Sequence, residues 1–208
     1  MALTLYVGSK RYSSWSLRPY LALAQTGVAF ETRTIFLDQS DTKAQIAAVN
    51  PAGKVPVLHD GDLVIWDSLA ICEYIAEQHT ELWPSAKAER AVARAISAEM
   101  HSGVAALRRD MAMDVCSDKR GQGHTPEALA DAARVQAIWK DCLAKSGGPF
   151  LFGEFTIADA MFAPVVTRFR TYGVELEAAC AAYSQAVFGL PAMKEWIADA
   201  EREPKTRQ

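Results

Sequence analysis

The chain has 208 residues, 50% of them hydrophobic, with a formal charge of −3 and a pI near 5.8. That is enough for one large or two small domains with a real core, and the mild acidity offers no basic footprint to nucleic acid. No apolar run approaches the roughly 20 residues that span a bilayer, and Met1-Ala2-Leu3-Thr4 lacks the charged start of a secretion signal, so the expected compartment is the cytoplasm, with no membrane association.

Leu3 to Val7 is an apolar run of strand length, followed by the polar loop Gly8 to Tyr12. Ser13 to Gly27 (S-S-W-S-L-R-P-Y-L-A-L-A-Q-T-G) places Leu17, Leu21 and Leu23 at amphipathic helical spacing, with Gly27 as the stop. Proline is tolerated only in a first turn, so Pro19 makes Ser16 the expected N-cap and leaves Ser13 and Ser14 in the loop upstream. Phe30 to Phe36 alternates as a second strand, and Thr42 to Val49 reads as a short helix.

The most informative stretch runs from Asn50 to Gln78. Val55-Pro56 closes a Pro-Gly-rich loop, and X-Pro bonds are the peptide bonds that become cis cheaply. Val57-Leu58 and Leu63-Val64-Ile65 flank Asp60-Gly61, which suits a type I′ hairpin. Ser68 stands where an N-cap belongs, with Leu69, Ile71, Cys72, Tyr74 and Ile75 following at helical spacing. A cis proline would leave the N–H and C=O of Val55 open to an extended peptide. A helix start at Ser68 offers a carboxylate a hydroxyl, free N–H groups and the positive end of a dipole.

Residues 1–79 therefore read as a βαβ unit followed by a ββα unit, the first two strands parallel. Periodicity lapses over 80–87, the expected linker. Residues 88–208 carry no strand signal: a long helix from Glu89 to about Val115, then one from Pro126 to Ser146. Thr156-Ile157-Ala158-Asp159 is a capping box opening a buried helix, in which Pro164 should make a kink or a water-lined bend. Two more helices are expected near 175–186 and 190–201. The fold class is thus α/β, thioredoxin-like, followed by an all-α domain.

Cys72, Cys116, Cys142 and Cys180 form no C-x-x-C pair and no metal-ligand spacing with any histidine, so free structural thiols and no metal are expected. Cys72, on an apolar stripe, reads as core.

The combination of V-P before a hairpin and D-S before a helix resembles the second half of the thioredoxin-like domain of the glutathione transferase superfamily. S-S-W-S-L-R-P-Y-L-A-L resembles its serine-type members, most of all the zeta class, whose motif reads S-S-C-x-W-R-x-R-x-A-L. This chain departs from that motif at Trp15, where the zeta class has cysteine. Glu99 to Met111 resembles the same helix in bacterial members.

The resemblance implies glutathione as co-substrate and a hydroxyl, Ser13 first and Ser14 second, that stabilises its thiolate. A free thiol with a pKa near 8.5 is only a few per cent ionised at neutral pH, and each unit of lowering corresponds to about 1.4 kcal/mol. Val55, after which Pro56 turns the chain, would take the cysteinyl backbone, Ser68 the γ-glutamyl carboxylate and Asp67 its ammonium. Lys54, then Gln39 or Arg11, would reach the glycyl carboxylate. A small apolar electrophile would sit between the domains against Tyr12, Trp15, Arg108 and Met111, with Met113 nearby. The resemblance further implies a homodimer and a task in detoxification. Other readings are a glutathione-dependent isomerase or peroxidase, and a non-catalytic interaction module.

Overall fold

In the computed structural model, which describes residues 3–204, the first lobe consists of β1 (Leu3–Gly8), α1 (Ser14–Thr26), β2 (Phe30–Ile35), α2 (Thr42–Val49), β3 (Val57–Asp60), β4 (Leu63–Trp66) and α3 (Ser68–Ala76). The sheet order is β2-β1-β3-β4, with β1 parallel to β2 and antiparallel to β3, and β3 antiparallel to β4. This is the thioredoxin-like arrangement. Leu5 and Val7 of the inner strand β1 are fully buried, as a strand paired on both edges and covered by helices requires.

A single 3₁₀ turn at Thr80–Leu82 leads to the helical second lobe: α4 (Lys87–Ser102), α5 (Ala105–Asp110), α6 (Pro126–Ser146), α7 (Ile157–Tyr172), α8 (Ala178–Gly189) and α9 (Pro191–Arg202). Helix α7 is buried along almost its whole length. Trp139 of α6 anchors this core, meeting Phe162 edge-on at 5.9 Å and Tyr183 at 4.8 Å between ring centroids. No described helix is long and apolar enough to cross a membrane. All four cysteines are free, and complete burial of Cys72 pushes its thiol upward.

Several local expectations are corrected. The hairpin loop is Gly61-Asp62, because Asp60 still pairs with Leu63. Of these two residues only Gly61 has positive φ, at 58°, which suits a II′ connection rather than I′. Helix α1 begins at Ser14 with Ser13, not Ser16, as its N-cap, and so carries Pro19 inside rather than in its first turn.

The long helix expected over 89–115 is broken. Val104 takes a left-handed conformation at φ 51°, and a Cβ on Gly103 would lie 2.7 Å from the Glu99 carbonyl oxygen. The break frees carbonyl groups, and the Arg108 guanidinium takes them: Nε donates to Gly103 O at 3.0 Å and Nη2 donates to the carbonyls of Met100 and His101. Pro164 is buried within α7, which continues through it. Its own carbonyl accepts from Thr167 Oγ1 at 2.8 Å and from Arg168 Nη1 at 3.4 Å.

The capping box at the start of α7 is present. Asp159 Oδ2 accepts from Thr156 N at 2.8 Å and Thr156 Oγ1 at 3.0 Å, while Oδ1 accepts from Leu151 N at 3.1 Å. Asp159→Ala leaves two buried N–H groups without an acceptor and is expected to cost on the order of 3 kcal/mol in urea unfolding. Burial also raises the Asp159 carboxyl to about 6. The unfolded value is about 3.9, so between about pH 4 and 6 only the native state holds this proton, and the group's contribution to stability falls as pH rises through that window. Asp159→Asn, which cannot titrate, should lack this decline, and parallel urea curves at pH 4 and 6 measure it.

Candidate functional site

A cleft of about 520 Å³ opens where the first lobe faces the end of α4, walled by Trp15, Ala52, Lys54, Val55, Pro56, Trp66, Asp67 and Ser68. Six of the residues expected at the site, Trp15, Lys54, Val55, Pro56, Asp67 and Ser68, meet there. The Val55-Pro56 bond is cis, and the Val55 backbone makes no hydrogen bond among the described residues. Lys54 is exposed beside it.

Asp67, rather than Ser68, is the N-cap of α3. Its Oδ1 accepts from Leu69 N at 2.9 Å and Ala70 N at 3.3 Å. A carboxylate satisfies two free helix N–H groups better than the Ser68 hydroxyl could, and it does so from a backbone held at φ 73°, unusual for a residue with a Cβ. Ser68 is thereby the first residue of the helix, with its hydroxyl released from capping. The Oγ instead accepts from Arg18 Nη1 at 3.3 Å.

Arg18, behind the cleft wall, is a residue that spacing alone did not single out. It is 0% exposed, makes no ion pair among the described residues, and its Nε and Nη2 have no hydrogen-bond partner there. Burial, reinforced by Arg108 and Arg168, holds its pKa well below the ordinary arginine value. Its guanidinium lies 4.2 Å from the centre of the Trp15 ring, and that of Arg108 lies 4.7 Å from the same ring, so the indole bears two cations. The signals available in the sequence were the arginine that this chain shares with the sixth position of the quoted zeta motif and its place three residues after Trp15.

Ser13 and Ser14, each 6% exposed, stand at the head of α1 just before Trp15 and are not part of the cleft wall itself. Ser13 Oγ and Ser16 Oγ are 2.7 Å apart, and Ser16 Oγ accepts from Gly8 N at 3.0 Å. If Ser16 donates to Ser13, the hydrogen of Ser13 remains for another acceptor, polarised by the two bonds behind it. Gly8 permits this contact, because a Cβ there would lie 3.1 Å from Ser13 Oγ.

The other expected site residues lie away from the cleft wall. Met111 is fully buried, with Met113 almost so, and neither can wall an open cleft. Arg108 reaches Trp15 from outside but has its hydrogen bonds on the carbonyls released by the α4 break. Gln39 is exposed in the turn before α2. Arg11 is held by Asp114, Nε to Oδ1 at 2.9 Å, and donates from Nη2 to Ser117 Oγ at 3.1 Å, which removes it from a glycyl carboxylate. Tyr12, 9% exposed, lies in the loop ahead of Ser13, where Arg11 approaches its ring at 5.6 Å.

Residues 12–78 match the model of the glutathione S-transferase N-terminal domain, and residues 90–199 match that of the C-terminal domain. The chain belongs to the glutathione S-transferase family. This transferase-family chain is 30% identical over 167 residues, 79% of it and 78% of the relative, to a probable maleylacetoacetate isomerase of Caenorhabditis elegans. It is 28% identical over 211 residues, 95% and 93% of the two chains, to glutathione S-transferase Z2 of Arabidopsis thaliana. A glutathione transferase homologue from Burkholderia gl BGR1, solved with bound glutathione, superposes with a TM-score of 0.75 over 98% of this chain and all of that one, at 22% identity.

The far end of this transferase-family fold holds the loop that leads to Ser13. Glu203, beyond α9, accepts from Lys10 N at 2.8 Å and Arg11 N at 3.2 Å, Trp196 Nε1 donates to Lys10 O at 2.8 Å, and Lys10 pairs with Asp199. Burial raises the Glu203 carboxyl while those backbone N–H groups oppose the rise. Glu203→Ala is expected to speed amide hydrogen exchange at Lys10 and Arg11 about tenfold or more while leaving the strand β3 amides unchanged.

Proposed function

We propose that the protein binds glutathione in this cleft, keeps its sulfur ionised at the head of α1, and delivers it to an electrophilic carbon. The observation that carries this reading is Arg18. A fully buried guanidinium without an acidic partner is costly unless an anion completes it, and its one hydrogen bond runs to Ser68, on the cleft wall. A carboxylate accepting from the Ser68 hydroxyl at the start of α3 would balance that charge and the positive end of the helix together.

With the γ-glutamyl carboxylate there, the ammonium falls to Asp67, and the cysteinyl backbone to the open N–H and C=O of Val55. Lys54 is the remaining cation on the wall and takes the glycyl carboxylate. The sulfur then reaches the start of α1, where the Ser13 O–H donates to the thiolate and the helix dipole favours the charged form. Ser13 stabilises charge and does not attack. The thiol proton leaves to solvent, the sulfur–carbon bond forms, and in a substitution the leaving group departs with its electron pair.

A second reading shares the binding step. The relative described as a probable maleylacetoacetate isomerase favours attack by the thiolate on a conjugated double bond, rotation, and expulsion of the same thiolate, which returns glutathione unchanged. Trp15 in place of the zeta-class cysteine favours transfer over this cycle. Consumption of glutathione in step with product distinguishes the two.

Calorimetry should detect glutathione binding, and far-ultraviolet difference spectra should show bound thiolate. Ser68→Ala is expected to weaken binding about tenfold. Ser13→Ala should leave binding in place and lower kcat about a hundredfold, the scale of losing one charge-stabilising donor. Unchanged turnover in both Ser13→Ala and Ser14→Ala, or no heat on titrating glutathione, overturns the proposal.

A further inference from the structure

His101, in the last turn of α4, reaches across from the second lobe to the start of α3. Its Nε2 lies 3.1 Å from Asp67 Oδ2, and its ring meets the Trp15 ring edge-on at 5.1 Å between centroids. Because Oδ1 of the same carboxylate accepts from Leu69 N and Ala70 N, both oxygens of Asp67 are engaged, one by its own helix and one by the other lobe. The carboxylate plane is therefore fixed on a backbone already held at φ 73°.

The tautomer follows from the partner. A carboxylate oxygen only accepts, so Nε2 carries the hydrogen and Nδ1 keeps its lone pair. That Nδ1 is buried without a hydrogen-bond partner among the described residues. The charged groups facing the ring are Asp67, which favours the imidazolium, and Arg18 and Arg108, which oppose it. Burial outweighs the rest, and the pKa is lowered from the ordinary histidine value. A neutral donor orients a carboxylate without cancelling its charge. A lysine or arginine in its place would hold Asp67 equally well and neutralise it.

Resting on the glutathione reading above, we propose that His101 is a positioning residue for glutathione recognition, one that aims the Asp67 carboxylate at the ammonium of the γ-glutamyl group while leaving its negative charge available. The second lobe thus sets how strongly the first distinguishes glutathione from the same tripeptide without that ammonium. Such a residue acts on ligand choice, whereas one that merely stabilises the lobe interface would weaken all ligands alike.

The test compares two ligands on the same full-length protein by calorimetry: glutathione, and glutaryl-cysteinyl-glycine, which keeps every group except the α-ammonium. Wild type should prefer glutathione. His101→Leu should weaken glutathione about tenfold, the scale of a hydrogen bond to a charged group, and the analogue less than about twofold. His101→Gln, with a neutral amide donor, should restore most of the preference. Equal losses on both ligands, or no loss on either, would overturn the proposal while leaving the glutathione reading intact. A wild-type protein that binds neither ligand overturns both.

Discussion

Helix α1 has no side left for water over most of its length, and that constraint organises the molecule. From Ser16 to Leu23 every residue is buried, including Arg18 and Pro19, because β1 and α3 cover one side while α7 and α9 of the second lobe cover the other. A helix enclosed in this way belongs to both lobes at once. Its N-terminal end is where the lobes part, and Ser13, Ser14 and Trp15 emerge there. The placement of the proposed thiolate-stabilising hydroxyl is thus set by packing that runs through the whole chain.

The loop entering α1 is fastened from several directions. Leu37 N donates to Ser9 Oγ at 2.9 Å, Val115 N to Arg11 O at 3.2 Å, and Glu203 takes the Lys10 and Arg11 amides. Three separate parts of the chain hold one short polar segment. Such over-determination is what a charge-stabilising hydroxyl needs, since a donor free to rotate away loses its advantage over water.

Much of this architecture was legible in the sequence, and the readings that failed at Met111 and Arg11 have a common cause. The β3–β4 pairing, though not the residues of its turn, Val55-Pro56, the short helix α2 and the Thr156–Asp159 capping box all depend on interactions within a few residues, so local rules reached them. Met111 and Arg11 looked available because their spacing suggested helix surface and loop. The partners that bury Met111 and neutralise Arg11 come from remote segments, Asp114 and Ser117 in the case of Arg11. Pro19 misdirected the start of α1 because the first-turn rule measures an isolated helix, and burial of Leu17 and Leu21 on both sides of the proline outweighs the missing hydrogen bond. Arg18 was overlooked for the opposite reason: a charged residue on an apolar helix invites a surface reading, and only the second lobe makes it interior.

Trp15 shows how one residue answers to both lobes. On its own it reads as an aromatic side chain at a helix start, yet it is 36% exposed, with Arg18 against its face from the first lobe and Arg108 and His101 reaching it from the second. The indole lets two guanidinium groups share one site without an acid between them, because the negative faces of its ring partly offset their charge. Arg108 can take that place only because the turn at Gly103 and Val104 hands it three carbonyl oxygens. The break in α4, which interrupts the expected helix, is therefore what brings positive charge up to the cleft. The same turn ends α4 at Ser102, so that His101, whose imidazole lies against Asp67, stands in the helix's last turn.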